Sequence, residues 1–436
     1  MERFIDEYIN FLVTLTAGRF FRIFWFFVIF ELFRYVILDF IVLIITRISI
    51  TINRKKRSDA FERMKFEQPL VSIIIPGKNE GKHLFKLMHS LKNQTYKNYE
   101  VIVVDDGSDD DTPIIGKSLL HQGLIDVFLR NDIRGGKASA ANLALRFAKG
   151  KYIVHLDADC SFDYDAIEKV LLPFFEDPQV GAVGGNVMAR NYKESLATTL
   201  QTIEYYDTIS IGRMISSHLG IYRLISGAFG AFRRDVIDEI KGWDIGPGLD
   251  GDISVKVRKA GYKIKFADEA VCLTNVPNTF TKLVKQRMRW DKSLVRFRMR
   301  KHKDVFFPNK AFNWSNFISF LENITYGFLL NFKWLFYIVD VLLNHFSQAK
   351  FIIITNFLMY VLINYFKYLV FSLFRKRKNA PMYYFLIYIP CMVFYFGYFL
   401  RIVRMIAHLR ELFLKASYND PWNPYKTSKH AKELGL

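Results

Sequence analysis

Three cysteines in 436 residues are too few to frame a disulfide scaffold. Twenty-four glycines are too few for a collagen-like repeat. Apolar residues are not scarce at 51%, and that content excludes a disordered chain. Acid is the charge in short supply: 42 acidic residues face 61 basic ones, for a net charge of +19. Such an excess directs a chain to nucleic acid, phosphorylated ligands or anionic membranes. The distribution chooses among these. Apolar residues crowd before residue 52 and after residue 312, and basic runs flank them. That pattern argues against nucleic acid and for a membrane protein with a soluble middle. The sequence contains neither an internal repeat nor a low-complexity stretch.

Residues 24–52 exceed the roughly 20 apolar residues that span a bilayer. The run is too long for a signal peptide, and no small-residue cleavage site follows it. Arg54-Lys55-Lys56-Arg57 comes next, which places the middle on the cytoplasmic side by the positive-inside rule. Glu31, Arg34 and Asp39 lie within the run and are expected to face protein or a water-filled path. Three further apolar runs cover residues 318–343, 351–374 and 382–403. Arg375-Lys376-Arg377-Lys378 is expected in the cytoplasm, and residues 404–415 as an amphipathic interfacial helix. Three crossings would leave the basic tail outside, against the charge rule, so the crossing count stays open by one. The chain divides into residues 1–65 (membrane entry and basic linker), 66–280 (soluble domain), 281–312 (amphipathic interface) and 313–436 (membrane helices and tail).

The middle alternates buried strands with helices. Strands are expected at residues 71–76 (VSIIIP), 99–104 (YEVIVV), 125–130 and 152–156. Helices are expected at 83–91, 112–122 and 137–148. This rhythm predicts a mostly parallel α/β sheet with helices on both faces. Ligands of such sheets bind beyond the carboxyl ends of the strands. The acidic clusters stand there: Asp105-Asp106 after the second strand and Asp157-Ala158-Asp159 after the fourth.

Two carboxylates at i and i+2 off a strand can share a hard divalent cation with a diphosphate. Alone, a D-x-D is as often a solvated turn. Asp106 could accept from a base or a ribose hydroxyl, or merely form a turn. Lys137 follows Gly135-Gly136 at a helix start, which suits an anion or an ordinary surface lysine. Within Gly248-Leu249-Asp250-Gly251-Asp252, Asp252 is a candidate helix cap, which leaves Asp250 free as a general base. Gln286-Arg287-Met288-Arg289-Trp290 stands in a strongly basic segment of helical period. It suits a membrane-surface helix, or the delivery of an arginine to a diphosphate and an indole to a sugar. Cys160 reads as a small packed thiol.

Taken in order, IIIPGKNE, VVDDGS, GGKASAAN, LDAD, SGAFGAFRR, GLDGD and QRMRW resemble the processive, membrane-embedded family 2 glycosyltransferases. These include the cellulose, hyaluronan, chitin and poly-N-acetylglucosamine synthases. The resemblance covers residues 71 to about 300. It implies an A-type nucleotide-sugar domain in the cytoplasm, with transmembrane helices at both ends of the chain. Pro76, Asn79, Glu80 and Asp106 would hold the uridine. Lys137 and Asp157 would face the donor diphosphate, and Asp159 would bind Mg²⁺ or Mn²⁺. Asp250 would be the base. Ser226-Gly227 to Arg233-Arg234 would line the acceptor side. Gln286, Arg289 and Trp290 would meet the leaving diphosphate and the acceptor sugar. Leu249 departs from the acidic residue usual before the base, and Gly77 from a larger one. The implied reaction is inverting transfer from a UDP-sugar to a growing polysaccharide, passed across the cell membrane. The implied setting leaves room for a small partner subunit. The rivals are a single transfer to a membrane glycolipid, as in ceramide glucosyltransferases, and a non-catalytic sugar-nucleotide scaffold.

Overall fold

The computed structural model describes residues 1–222, 224–246, 248–309, 312–374, 382–420 and 423–434. Its centre is one sheet built from β1 (Val71–Gly77), β2 (Tyr99–Asp105), β3 (Val127–Arg130), β4 (Tyr152–Leu156), β5 (Ser161–Phe162), β6 (Val180–Ala189), β7 (Phe229–Arg233) and β8 (Lys263–Thr274). The strand order is β3-β2-β1-β4-β7-β6-β8-β5. The first four strands are parallel, as the alternating sequence predicts. The other half is mixed: β7 runs against β4 and β6, and β5 against β8, while β6 and β8 are parallel. The chain leaves β6 into helical residues 196–218 and re-enters beside the carboxyl end of β4, so β7 must run back along it. β3 starts at Val127 rather than at residue 125, because Asp126 turns its carboxylate onto the Val101 N–H at 2.7 Å.

Successive side chains on a strand point to opposite faces. Val71, Ile73 and Ile75 therefore pack under the helices Gly81–Lys92 and Ala166–Glu176. Ile74, Ile102 and Val104 pack under Lys137–Phe147 and Leu249–Lys259. Each fully buried aliphatic side chain of this kind contributes about 1.5–3 kcal/mol. The two cores hold the loops at the carboxyl ends of β1, β2 and β4 on a rigid frame.

Among the described residues, three helices are long and apolar enough to cross a membrane: Trp314–Asn344, Phe346–Phe374 and Cys391–Leu414. The N-terminal run is helical over residues 17–52 with a break in helical geometry at Phe24. Its charges are paired. Arg34 binds Asp39 at 2.7 Å and Glu322 at 2.8 Å, and Glu31 pairs with Arg401. Aromatic contacts lock it to the first long helix, with Phe26 stacked on Tyr337 at 5.5 Å.

The third apolar run differs from expectation. It opens as a short helix, Met382–Leu386, turns before Pro390, and the long helix starts at Cys391. That helix continues through the residues expected to lie separately at the interface, because neither Gly nor Pro occurs from Val403 to Leu414 to break it. Tyr395 donates to the Glu204 carboxylate of the central domain at 2.7 Å. Near the other end, Glu411 pairs with Arg300. The tail then returns to the domain, where the Thr427 hydroxyl donates to the Gly135 carbonyl at 3.2 Å. The Arg375–Lys378 cluster lies outside the described residues. The helix Phe280–Leu294, which carries Gln286 to Trp290, packs against Leu400–Leu414 and buries Leu283, Arg287 and Leu294.

Candidate active site

One cavity of about 1690 Å³ gathers ten of the eleven expected site residues. Pro76, Glu80, Asp106, Lys137, Asp157, Asp159, Asp250, Gln286, Arg289 and Trp290 all line it. Asn79 does not: held at a positive φ of 59°, it turns its amide oxygen onto the Asp109 N–H at 3.0 Å. Its own N–H donates to Ser108 at 2.8 Å, so it joins the loops after β1 and β2.

The donor-side residues are fixed by backbone. β1 and β2 are in register, Gly77 opposite Asp105, and the Asp106 N–H donates to the Gly77 carbonyl at 2.8 Å. The Asp106 carboxylate accepts from the N–H groups of Gly135 and Gly136 at 2.9 and 2.8 Å and from Asn131 at 3.0 Å. Gly136 sits at a φ of 90° that L side chains avoid, and an added Cβ would lie 3.3 Å from Pro424. Lys137 then opens its helix and ion-pairs with Asp157.

Asp250 reaches the site from the other half of the sheet. Gly248 caps the helix Leu249–Lys259 at a φ of 94°, so Asp250 lies in the first turn, where the helix dipole favours a carboxylate. Ser254 accepts from the Ile225 N–H at 2.9 Å and donates to the Asp250 carbonyl at 2.7 Å, tying the helix to the 225–227 loop. A Cβ at Gly227 would lie 2.3 Å from Asp250 Oδ1, so the glycine is what lets the carboxylate in. His155 of β4 braces the same loop by donating to the Gly227 carbonyl at 2.7 Å. Its burial, with Lys137 nearby, pushes the imidazole pKa down to about 4.

Two expectations are corrected here. Asp252 is not the helix cap. It is buried and accepts from His302 and Lys301, both at 2.8 Å, because the helix begins four residues earlier than expected. Arg233 and Arg234 do not line the cavity. They pair with Asp235 and Asp238 at the far end of β7, which carries them roughly 14 Å from Phe229. Ser226 does line it.

On the opposite wall, Arg287 binds the buried Glu204 at 2.7 Å and lies 4.7 Å over the Trp290 ring. Gln286 Oε1 is sealed from solvent with no hydrogen-bond partner among the described residues. The cavity lining also includes Arg213 and Tyr222, which carry no sequence motif and were not expected. Only the fold, by bringing residues 205–222 beside Asp250, makes them visible.

Burial raises the Asp250 carboxyl above the usual carboxylate range, with Lys137 pulling the other way. Burial also raises Asp159, and Asp157 adds to it. Glu80 is pushed up to about 7 by burial and by Asp159 and Asp157. Burial lowers the Lys137 pKa, but Asp157, Asp250 and Asp159 together outweigh it and raise the value above the ordinary lysine range. Cys160 is buried, as expected of a packed thiol, with its Sγ 3.5 Å from Asp159. Among the described residues no three His, Cys, Asp or Glu side chains lie close enough to cage a metal ion. The crowded carboxyls of Asp159, Asp157 and Glu80 fit a hard divalent cation that takes its remaining ligands from phosphate oxygens.

The sequence profile of "Glycosyl transferase family 2" matches residues 72–241. The chain is 33% identical over 223 residues to poly-beta-1,6-N-acetyl-D-glucosamine synthase of Staphylococcus aureus, covering 50% of this chain and 53% of that protein. It is 32% identical over 222 residues to the synthase of the same name from Staphylococcus epidermidis, with the same coverage. The chain thus spans about half the length of these relatives. Among solved structures, the mannosyltransferase PcManGT from Pyrobaculum calidifontis, in complex with GDP-Man and Mn²⁺, superposes with a TM-score of 0.53 at 19% identity. That superposition covers 86% of this chain and 99% of the other. The motifs, the sheet that carries them and the profile match agree: residues 72–241 are similar to a family 2 glycosyltransferase domain.

Proposed function

We propose that the protein transfers a sugar, with inversion, from a UDP-sugar to a growing polysaccharide and passes the product across the membrane. One observation carries the reading. The cavity that holds Asp106, Asp157 and Asp159 continues past Asp250 and Trp290 to Tyr337, Asn356 and Tyr360 between the apolar helices. An N-acetylhexosamine donor is the first to test, given the relatives' names.

Asp250 accepts the proton of the acceptor hydroxyl, and the freed oxygen pair attacks the anomeric carbon from the face opposite the diphosphate. The carbon–diphosphate bond breaks as the new bond forms. Lys137 and Arg289 stabilise the charge that develops on the leaving group. A divalent cation, Mg²⁺ or Mn²⁺ held by Asp159 and the donor's phosphates, would add further neutralisation. The base contributes about 10²–10⁴-fold. Trp290 offers its indole face to the acceptor sugar, and Asp106 with the Pro76–Glu80 loop receives the nucleoside.

The membrane arrangement follows from the same contacts. Residues 17–52, Trp314–Asn344 and Phe346–Phe374 cross, and Cys391–Leu414 dips in and returns to the domain. The tail then lies on the cytoplasmic side, which removes the conflict with the positive-inside rule.

A second reading is favoured by the aliphatic Val341, Leu342, Ile352 and Ile353 at the membrane end of the cavity. They suit a lipid acceptor. Product size separates the two. Purified chain in lipid nanodiscs, given radiolabelled UDP-N-acetylglucosamine and other UDP-sugars with Mg²⁺ or Mn²⁺, yields a ladder if it polymerises. One organic-soluble product would replace the polysaccharide reading with the lipid one.

A further inference from the structure

The cavity holds several arginines, and most are spoken for. Arg34, Arg401 and Arg404 pair with Asp39, Glu31 and Asp291. Arg213 is different. It lines the cavity from the helix Gly212–His218 beside the Tyr222 hydroxyl and forms no ion pair among the described residues. Its Nη1 is shut off from solvent. A guanidinium carries five donors and no acceptor, so leaving one sealed and unmatched costs stability unless a ligand completes it.

Its neighbours say which ligand. Arg213 is close enough to Asp250 for its charge to favour the carboxylate, yet the two form no ion pair, so a gap separates them. Lys137, already bound to Asp157, acts on the Asp250 carboxylate as well. Arg213 also acts electrostatically on Tyr205. Tyr205 in turn lies 6.0 Å from Arg287, whose guanidinium covers the Trp290 ring. Tyr205 thus links the arginine to the Arg287–Trp290 stack.

We propose that Arg213 is an acceptor-binding residue: its planar fork donates to two neighbouring hydroxyl or acetamido oxygens of the acceptor's terminal sugar and holds the attacking hydroxyl against Asp250. The inference deepens the glycosyltransferase reading and rests on it. A planar, bidentate donor suits vicinal sugar oxygens, and a lysine in its place would offer only a point charge.

The test uses the full chain in nanodiscs with UDP-N-acetylglucosamine as donor and a tetramer of β-1,6-linked N-acetylglucosamine as acceptor. Kd for UDP is measured alongside. Arg213→Gln and Arg213→Lys are expected to lower kcat/KM for the tetramer by about 10- to 100-fold, mostly through KM, while Kd for UDP stays within twofold. An unchanged UDP affinity also reports that the variants fold. Weakened UDP binding in both variants overturns the inference and moves Arg213 to the donor. Unchanged KM for the tetramer overturns it as well. A wild-type chain that binds UDP but transfers no sugar to the tetramer refutes the underlying reading, and this inference with it.

Discussion

Removing the Glu204 carboxylate should loosen the joint between the catalytic domain and its membrane helices. Glu204 is buried on the helix Leu196–Glu204, and its Oε2 accepts from both Arg287 Nη2 and the Tyr395 hydroxyl at 2.7 Å. One atom thereby joins three elements. Glu204→Ala leaves Arg287 buried without its counter-charge, which costs about 3–5 kcal/mol. For a chain this large, at roughly 2 °C per kcal/mol, the apparent Tm falls by about 6–10 °C. The double variant Glu204→Leu with Arg287→Met replaces the pair by apolar groups and is expected within about 1 kcal/mol of wild type. The pattern, not the single value, tests the reasoning. Unfolding followed by intrinsic fluorescence in detergent gives all three values. If Glu204→Ala melts with wild type, or the double variant is less stable than Glu204→Ala, the pair does not carry this load. Because Arg287 covers Trp290, the double variant should still lose acceptor affinity while it recovers stability.

Other outcomes follow from the site. Asp250→Asn should lower kcat by about 10²–10⁴-fold and leave Kd for UDP unchanged; near-normal turnover would remove Asp250 as the base. Asp159→Ala should abolish the response of activity to added Mn²⁺ or Mg²⁺, read by titrating the metal. Gly136→Ala forces a side chain into a left-handed backbone beside Pro424, and weaker UDP binding, measured by calorimetry, is expected because Asp106 loses its two N–H donors. The Asp252 carboxyl is held below its ordinary value: burial opposes this, but His302 and Lys301 outweigh burial. Its folded pKa lies below the unfolded value of about 4, so its contribution is complete above pH ~4 and disappears as pH falls below that. Thermal melts from pH 6 to 3 should be less acid-sensitive in Asp252→Asn than in wild type.

The readable part of this fold was the part with local rules. Continuous β-branched runs marked β1, β2 and β4, and the strand-end acids that follow them line the cavity. The second half of the sheet could not be read so simply. The direction of β7 depends on where the 196–218 excursion returns, a non-local fact with no sequence period. Asp252 was misread because a capping aspartate and a buried ion-pair acceptor look alike without His302, fifty residues away. Asn79 belongs to an expected loop, but its side chain serves the turn. Arg213 carries no motif at all; its significance is an unmatched Nη1 on the cavity lining near Asp250, and only three-dimensional neighbours define that. The charges within the N-terminal run are expected from sequence to face protein or a water-filled path, but their partners Glu322 and Arg401 lie about 290 and 370 residues on.

The return of residues 423–431 to the Gly135-Gly136 loop sets an order on biosynthesis. Asp106, Asp157, Asp159, Asp250 and Trp290 are all translated by residue 290, before the C-terminal apolar helices. The cavity edge at the Gly135-Gly136 loop is not complete by then, because Asn423 lines the cavity and Thr427 binds the Gly135 carbonyl. A ribosome-bound chain thus has its chemical groups long before it has a finished site. The proposed transfer would therefore wait until the tail has folded back onto the Gly135-Gly136 loop.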